Sequence, residues 1–477
     1  MLFTSPTFLF GFLPLLLILY YVTAKRFKNY VLLLFSLFFY AWGEVFYLFI
    51  MLISISLNYF IGLAVYHYRH LKNVKHILYT GVLLNLIILI FFKYTTFILE
   101  NINTLLTYFN IPLIETEPIH LPLGISFFTF QAISYIVDIY RNKVKPQHNI
   151  VDLALYISLF PQLIAGPIVR YSDISQQIKN RSHTINKISN GITRFIIGLA
   201  KKVLIANPLG EVVDTIFLLN SNELTMPIAW IGILFYTLQI YFDFSGYSDM
   251  AIGLGKIFGF KFLENFNYPY ISTSLREFWQ RWHISLSSWF RDYIYIPLGG
   301  NRVSKLRVYM NLFIVFIITG FWHGAAWNFL VWGLIHGSVL LVERLGLHKW
   351  LKKQWKFIQH FYLLSVVVIS WVFFRAENIS NAILYLKSMV NTSHFNTSNF
   401  QYAQILNNEV CIVFLIAVFF SMPLVSLLNN KFVNKTSSKI TLILFENLKT
   451  LLIFFLFFLT LSKIAASTYN PFIYFRF

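Results

Sequence analysis

The stretch ITGFWHGAAWNF, residues 318–329, carries one ionisable ring, His323, among apolar and small residues. A histidine titrates near neutral pH, so it can accept a proton from an attacking hydroxyl group as a general base. In a soluble core, a lone histidine is more often a structural residue with a hydrogen-bond partner. Inside a membrane, an ionisable residue faces the protein interior or water and commonly marks a functional site. His336 lies in a similar apolar run and could equally be a packing residue.

The densest polar run is STSLREFWQRWHISLSSWFRDYIYIPLGGN, residues 272–301. Ser274 and Glu277 form an S-x-x-E capping box, which predicts that a helix begins here, and Pro297 predicts its end. One face of this helix is aromatic and another is polar. The polar face could contact anionic lipid headgroups, or it could bind an anionic donor such as the phosphates of coenzyme A from the cytoplasm. Its members are Arg276, Gln280, His283, Ser287 and Arg291, and in the donor-binding alternative His283 points toward the reaction path.

A carboxylate, Asp243, lies in the apolar run LQIYFDFSGYSDMAIGLGKIFGF, residues 238–260. A charged side chain in lipid is costly, so it normally pairs with another group or lines a polar cavity. The run predicts either a structural hydrogen-bond network in a broken helix or a path for protons or ions. We also count Asp243 among the candidate substrate-binding residues.

The sequence ends in STYNPFIYFRF, residues 467–477, which is aromatic to its last residue. Terminal residues are usually polar and poorly ordered, so an exposed segment of this kind would be unfavourable. We expect it to insert, either as a peripheral anchor at the outer interface or with Tyr474 entering a cavity and taking part in chemistry.

These residues must be positioned by membrane-spanning helices. Of the 477 residues, 57% are hydrophobic and 12% are charged, against about 25% charged residues in soluble proteins. This composition predicts an all-α polytopic membrane protein with about 11–12 spans, and segment 150–168 is interpreted as re-entrant because of its prolines and glycine. The candidate spans are 6–24, 30–44, 46–66, 76–98, 121–140, 188–206, 227–248, 308–322, 325–343, 357–374, 409–428 and 441–461.

Basic residues are distributed as the positive-inside rule requires. Lysine and arginine follow the first, third and fifth candidate spans, whereas loops 101–120 and 207–226 contain neither. The net charge of +19 is therefore explained by cytoplasmic loops, without nucleic acid as a partner. Both ends of residues 308–343 are cytoplasmic by this count, and 36 residues are too few for two full spans. We expect a turn near His323 within the membrane or at its far side, and both chain termini outside.

The single cysteine, Cys411, excludes a disulfide within one chain and any cysteine-based metal site, and no metal is expected. The positive charges near the N-terminus follow the first apolar run rather than precede it. This order indicates a retained first span rather than a cleaved signal peptide.

Six motifs in order resemble the membrane-bound O-acyltransferase superfamily, in particular its bacterial branch of alginate and peptidoglycan O-acetyltransferase membrane subunits. They cover residues 120–345 and the tail 467–477, and we predict one membrane-embedded domain over residues 1–477. The motifs are LPLGISFFTFQAISYIVDIYR, FPQLIAGPIVRYSDI, YFDFSGYSDMAIGLGKIFGF, REFWQRWHISLSSWFRDYIYIPLGGNR, TGFWHGAAWNFLVWGLIHG and NPFIYFRF.

The resemblance implies a fold around a central funnel and tunnel, with His323 as the catalytic histidine and His283 as the second family histidine. By its similarity to the tail of a partner peptide in D-alanylation systems, Tyr474 would accept the acyl group. The resemblance further implies acetyl-CoA as the donor substrate, no bound cofactor, and a bacterial inner-membrane location. A periplasmic SGNH-type transferase would then modify a polysaccharide.

Three other functions remain open at this stage. The nearest is D-alanyl transfer to teichoic acid from a carrier protein. A transporter or flippase would fit Asp243 and the glycine-broken segment, but it would not need two histidines. A structural subunit that only docks a partner would tolerate replacement of both His283 and His323.

Overall fold

The computed structural model describes residues 1–115, 117–220, 223–392, 406–425, 427–428, 439–467, 469–471 and 473. Within these residues the regular structure is entirely helical, which confirms the predicted all-α class. The chain forms two compact units. The first comprises Met1–Ile192 and Ala251–Leu263, and the second comprises Thr193–Met250 and Glu264–Phe477. The prediction of one domain over the whole chain stays a prediction.

The first half of the chain contains helices α1 to α9, preceded by a wide helical turn at Thr7–Phe12 that runs directly into α1. Their bounds are α1 Leu13–Val22, α2 Lys28–Ala41, α3 Tyr47–His67, α4 Val74–Tyr108, α5 Ile125–Tyr140, α6 Ile150–Ser158, α7 Phe160–Leu163, α8 Tyr171–Lys179 and α9 Ile185–Ala200.

The remainder contains helices α10 to α20, with wide turns at Lys201–Ala206, Arg291–Tyr295 and Glu343–Leu347. Their bounds are α10 Asn207–Phe217, α11 Met226–Ile257, α12 Leu275–Arg281, α13 Ile284–Phe290, α14 Lys305–His323, α15 Trp327–Val342, α16 His348–Leu351, α17 Lys356–Arg375, α18 Ile379–Ser388, α19 Asn408–Phe420 and α20 Lys439–Ala466.

Helices coincide with all twelve candidate spans. Among the described residues, seven helices are long and apolar enough to cross a membrane, and three shorter helices are apolar as well. The seven include α3, α4, α11, α14, α17 and α20, and the remaining one is α15 with its extension to Leu351. The protein is therefore a multi-pass membrane protein.

In the first unit, α5 packs against both α3 and α4, and nearly all of its residues are buried. Asn58 of α3 and Asn85 of α4 are fully buried, and each donates an amide hydrogen to the side-chain oxygen of the other at 2.9 Å. This reciprocal pair satisfies two polar groups that could find no water in an apolar environment.

Segment 150–168 is a broken helix, and its re-entrant course stays a prediction. Helix α6 ends at Ser158 and α7 begins at Phe160, because Leu159 leaves the helical conformation with ψ of 108°. The side chain of Ser36 accepts a hydrogen bond from the backbone N–H of Phe160 at 3.2 Å. Residues 153–169 are buried throughout, so this irregular backbone is enclosed by protein, as non-helical backbone at membrane depth must be.

Candidate active site

His323 lies at a turn between two helices. Helix α14 ends at this residue, and α15 begins after three intervening residues. The side chain is buried, with 7% of the residue exposed. Its ring lies edge-on to those of Trp322, Trp332 and Phe374, with centroid distances of 4.9, 5.1 and 5.1 Å. The turn predicted from the distribution of basic residues is therefore present, and an imidazole lies buried beside it.

Two glycines allow the backbones of α14 and α15 to approach closely. A Cβ atom on Gly320 would lie 2.4 Å from the carbonyl oxygen of Phe329, and one on Gly333 would lie 2.3 Å from that of Phe316. Ordinary Cβ contacts begin at 3.4 Å. Small residues at a helix interface permit this kind of packing in membranes. This close packing constrains the backbone at the end of α14, where His323 lies.

The predicted helix over residues 272–297 begins correctly but is interrupted. The Ser274 hydroxyl accepts a hydrogen bond from the N–H of Glu277 at 3.2 Å, as the capping box predicts. However, α12 ends at Arg281, and His283 adopts a left-handed conformation with φ of 45° before α13 begins. The prediction of one continuous helix is therefore wrong, and His283 does not continue the polar face of α12.

Asn265, which precedes α12 in the sequence, stabilises this interruption. Asn265 accepts hydrogen bonds at its side-chain oxygen from the backbone N–H and the hydroxyl of Ser285, at 3.1 and 2.9 Å. Its backbone carbonyl accepts from the N–H of Ile284 at 2.9 Å. These contacts satisfy the first amides of α13, which would otherwise be unpaired at a new helix start.

His283 is enclosed by aromatic rings. Its imidazole lies 6.0 Å from the ring of Phe266 and 6.4 Å from that of Trp322, measured between centroids. Trp322 therefore lies beside the rings of both His283 and His323. Burial lowers the pKa of His283 to about 3, so this side chain is neutral at physiological pH. It can donate or accept a hydrogen bond there, but it is a weak base.

His336 has the contacts of a packing residue. The indole N–H of Trp279 donates to its Nδ1 at 3.3 Å, and its Nε2 contacts the hydroxyl of Ser370 at 3.0 Å. That hydroxyl donates to the carbonyl of Val367, so His336 Nε2 carries the proton that completes the pair. With both ring nitrogens satisfied and no exposed surface, His336 supports the aromatic cluster around His323.

Four of the five residues on the predicted polar face line one cavity of about 650 Å³, here called the basic cavity. Residues of both α12 and α13 line this cavity, whereas His283, which lies at the break between the two helices, does not. Arg344 and Lys349 also line the cavity. The four residues from the predicted face are Arg276, Gln280, Ser287 and Arg291.

The carboxylate of Glu343, which is buried at this cavity, already accepts hydrogen bonds from groups of the protein. It accepts from the N–H groups of Leu275 and Arg276 at 2.6 and 3.2 Å, and from the hydroxyl of Tyr362 at 3.2 Å. Arg291 pairs with Asp292 at 2.7 Å. Arginine and lysine groups therefore dominate the charge available to a ligand, and this chemistry suits phosphates.

Asp243 lies elsewhere, off the wall of the basic cavity. Its Oδ1 atom lies 2.6 Å from Nζ of Lys202, and the two side chains are 1% and 5% exposed. Its Oδ2 atom accepts a hydrogen bond from the backbone N–H of Ile473 at 3.0 Å. The structure therefore places this candidate binding residue against the C-terminal segment of the protein.

The described residues of the C-terminal segment, 469–471 and 473, pack against the protein, in the way that its composition led us to expect. Ile473 is buried, and the hydroxyl of Tyr469 donates to Asp214 at 2.7 Å. Asp214 also pairs with Arg375 at 2.9 Å. Tyr474 lies outside the described residues, so its role stays a prediction.

A second cavity of about 800 Å³, here called the tail cavity, includes Pro471 and Ile473 in its wall. Phe374 also lines it and contacts the ring of His323. Trp332 links the walls of the two cavities, because its ring lies 5.0 Å from Phe374 and 5.9 Å from Trp279 of the basic cavity. His323 therefore lies against the aromatic layer between a basic cavity and a cavity bounded by the tail.

No group of three or more histidine, cysteine, aspartate or glutamate side chains that could hold a metal ion occurs in the part of the chain that the structure describes.

Comparison with known proteins gives a consistent result. The model of the family described as MBOAT, membrane-bound O-acyltransferase family, matches residues 86–387. A protein of Pseudomonas putida named as a probable alginate O-acetylase is 42% identical over 100% of both chains. The peptidoglycan O-acetyltransferase of Helicobacter pylori is 40% identical over 82% of this chain and 80% of its own length. The teichoic acid D-alanyltransferase of Bacillus subtilis is 32% identical over 53% of this chain and 66% of its own.

Proposed function

Because the chain belongs to the membrane-bound O-acyltransferase family and is an O-acyltransferase, we propose that it transfers acetyl groups from acetyl-CoA for the O-acetylation of a polysaccharide outside the cell membrane. The observation that carries this proposal is the position of His323. It is buried at a helix turn, against the aromatic layer that links the walls of the basic cavity and the tail cavity.

The basic cavity is the proposed donor site. Coenzyme A carries several phosphate charges, which the guanidinium groups of Arg276, Arg291 and Arg344 can bind. A molecule with this charge should not cross an apolar layer, so only the acetyl group passes toward His323. We propose that this cavity opens to the cytoplasm, because basic residues surround it and the positive-inside rule assigns such residues to that side. The proposed location is a bacterial inner membrane, with both termini outside.

His323 is the proposed general base. Its imidazole accepts the proton of an attacking hydroxyl, and the hydroxyl oxygen forms a bond to the thioester carbonyl carbon. The carbon–sulfur bond then breaks, and the coenzyme A thiolate takes up the proton held by the His323 imidazolium, so that the free thiol leaves and His323 returns to its neutral form. General-base assistance of this kind contributes about 10²–10⁴-fold in rate. His283 lies beside Trp322 and is neutral, so it is available to donate or accept a hydrogen bond at this site.

The acceptor is proposed from the relatives, whose names refer to alginate and peptidoglycan. The attacking hydroxyl belongs either to Tyr474, giving a phenolic ester, or to a serine of a periplasmic SGNH-type partner. That partner passes the acetyl group to the polysaccharide. D-alanyl transfer is the second candidate, because the D-alanyltransferase of Bacillus subtilis aligns with about half of this chain.

The test uses purified full-length protein in lipid nanodiscs with a soluble glycan fragment and the partner transferase. Isotope-labelled acetyl-CoA and D-alanyl carrier protein are supplied in separate reactions, and thiol release and labelled glycan are measured. We expect both products from acetyl-CoA only, and expect them to depend on His323. Substrate movement without thiol release would indicate a transporter, and product from the carrier protein alone would indicate D-alanyl transfer. The exposed His70 provides a matched His→Ala control.

A further inference from the structure

The ion pair between Lys202 and Asp243 is buried more completely than the other ion pairs of the described residues. Lys202 belongs to the wide turn between α9 and α10, and Asp243 lies within α11. A buried ion pair often contributes no more stability than an apolar pair of similar volume. The contacts that Lys202 and Asp243 make with other groups therefore indicate the role of the pair.

Both charged groups also bind the backbone of the C-terminal segment. Nζ of Lys202 donates to the carbonyl oxygen of Pro471. Oδ2 of Asp243 accepts from the N–H of Ile473 at 3.0 Å. Lys202, the cation, thus binds a backbone carbonyl group, and Asp243, the anion, binds a backbone N–H group two residues further along the chain. This arrangement recognises the direction of the backbone, whatever its side chains, and hydrogen bonds to charged groups are the strong ones.

The held segment contributes to the wall of the tail cavity. Pro471 and Ile473 line this cavity together with Phe374, whose ring contacts His323 at 5.1 Å between centroids. A second anchor lies just upstream, where Asn207 donates to the carbonyl of Tyr469 at 3.4 Å. Release of residues 471 and 473 would open this wall and alter the space beside the histidine.

We propose that Lys202 and Asp243 form a backbone clamp that holds the C-terminal segment as a wall of the tail cavity. Both are positioning residues: they fix the shape of the space into which the acetyl group passes and touch no reacting atom. The consequence for acetyl transfer rests on the proposed function, whereas the clamp itself rests only on the contacts. Asp243 is thereby assigned to the tail rather than to the donor.

The experiment removes both charges together, because a single replacement would leave an unpaired buried charge and strongly destabilise the protein. The double variant Lys202→Met/Asp243→Leu is compared with wild type in nanodiscs, and Lys202→Met/Asp243→Asn provides a closer match in volume. The exposed pair Glu446 and Lys449 in α20 gives a control in which both residues become Gln. Amide hydrogen exchange of the peptide containing Ile473 reports on docking, and initial rates report on transfer.

We expect exchange at this peptide to rise at least about tenfold in the double variants, with unchanged exchange in the control. We expect kcat for acetyl transfer to fall at least about tenfold while KM for acetyl-CoA stays within about twofold, because the donor cavity is untouched. Unchanged exchange would overturn the clamp, and faster exchange with unchanged kcat would overturn its positioning role. If the wild type transfers no acetyl group, the proposed function fails, but exchange still decides whether the pair holds the segment.

Discussion

The substitution Gly333→Ala tests whether the close approach of α14 and α15 positions the catalytic histidine. The new Cβ atom would lie 2.3 Å from the carbonyl oxygen of Phe316, and 3.2 Å from the Cα atom of Gly320. Both neighbours are backbone atoms, which cannot rotate away as a side chain can. Reaching an ordinary contact of at least 3.4 Å requires the two helices to separate locally by about 1 Å.

This separation has two expected effects. Overpacking of this kind costs about 1–3 kcal/mol of folding free energy, so the thermal midpoint should fall while the protein remains folded at low temperature. A displacement of about 1 Å at a reacting group can lower a rate about 100-fold. Since His323 terminates α14, we expect kcat for acetyl transfer to fall between about tenfold and 100-fold at saturating donor.

The assay measures initial rates of labelled acetyl transfer and thermal unfolding of the same nanodisc samples. Gly11→Ala is the matched control, because it makes the same change in a helical segment where nothing lies within 4 Å of the new atom. The control should retain full activity. If Gly333→Ala keeps the wild-type kcat, the hairpin packing does not position the histidine and the reasoning is refuted.

Two further predictions concern the basic cavity and the buried second histidine. Replacing Arg276 by Gln should raise KM for acetyl-CoA about three- to tenfold with little change in kcat, and more than Arg291→Gln does, because Asp292 already pairs with Arg291. His283 has a pKa near 3 in the folded state and about 6.5 when unfolded. Protons therefore favour unfolding, and between pH 7 and 5 the wild type should lose about 2 kcal/mol more stability than His283→Asn.

Initial rates at varied donor concentration check the arginine prediction. Equal increases in KM for the two variants would contradict the prediction that Arg276 contributes more to donor binding than Arg291 does. Chemical unfolding at pH 7, 6 and 5 checks the histidine prediction. Asparagine is the matched replacement, because it tolerates the left-handed conformation of residue 283. Parallel stability curves for wild type and variant would contradict a strongly lowered pKa.

Local sequence patterns predicted much of the helical scaffold. Long apolar windows identified helices because a span must be both long and apolar, and the distribution of lysine and arginine indicated the turn beside His323. The broken segment 150–168 was also predictable, since proline and glycine disrupt a helix through their own backbone geometry.

Features that depend on distant partners could not be predicted in this way. The break between α12 and α13 has no proline or glycine to indicate it, and the residue that caps the new helix, Asn265, lies twenty positions before Ser285. The partner of Asp243 is Lys202, some forty residues away in the sequence, and neither residue indicates the other. The rings of Trp332 and Phe374 contact His323. In the sequence, nothing distinguishes these two residues from other aromatic residues of membrane spans, because the contact depends on how the helices pack.

The most direct test of the account is the rate of acetyl transfer by His323→Ala with saturating acetyl-CoA. We expect kcat to fall at least about 100-fold, while the dissociation constant for acetyl-CoA stays within about twofold and the protein remains folded. The donor constant should not change because His323 is not part of the wall of the basic cavity. A variant that transfers acetyl groups at the wild-type rate would contradict the assignment of His323 as the general base.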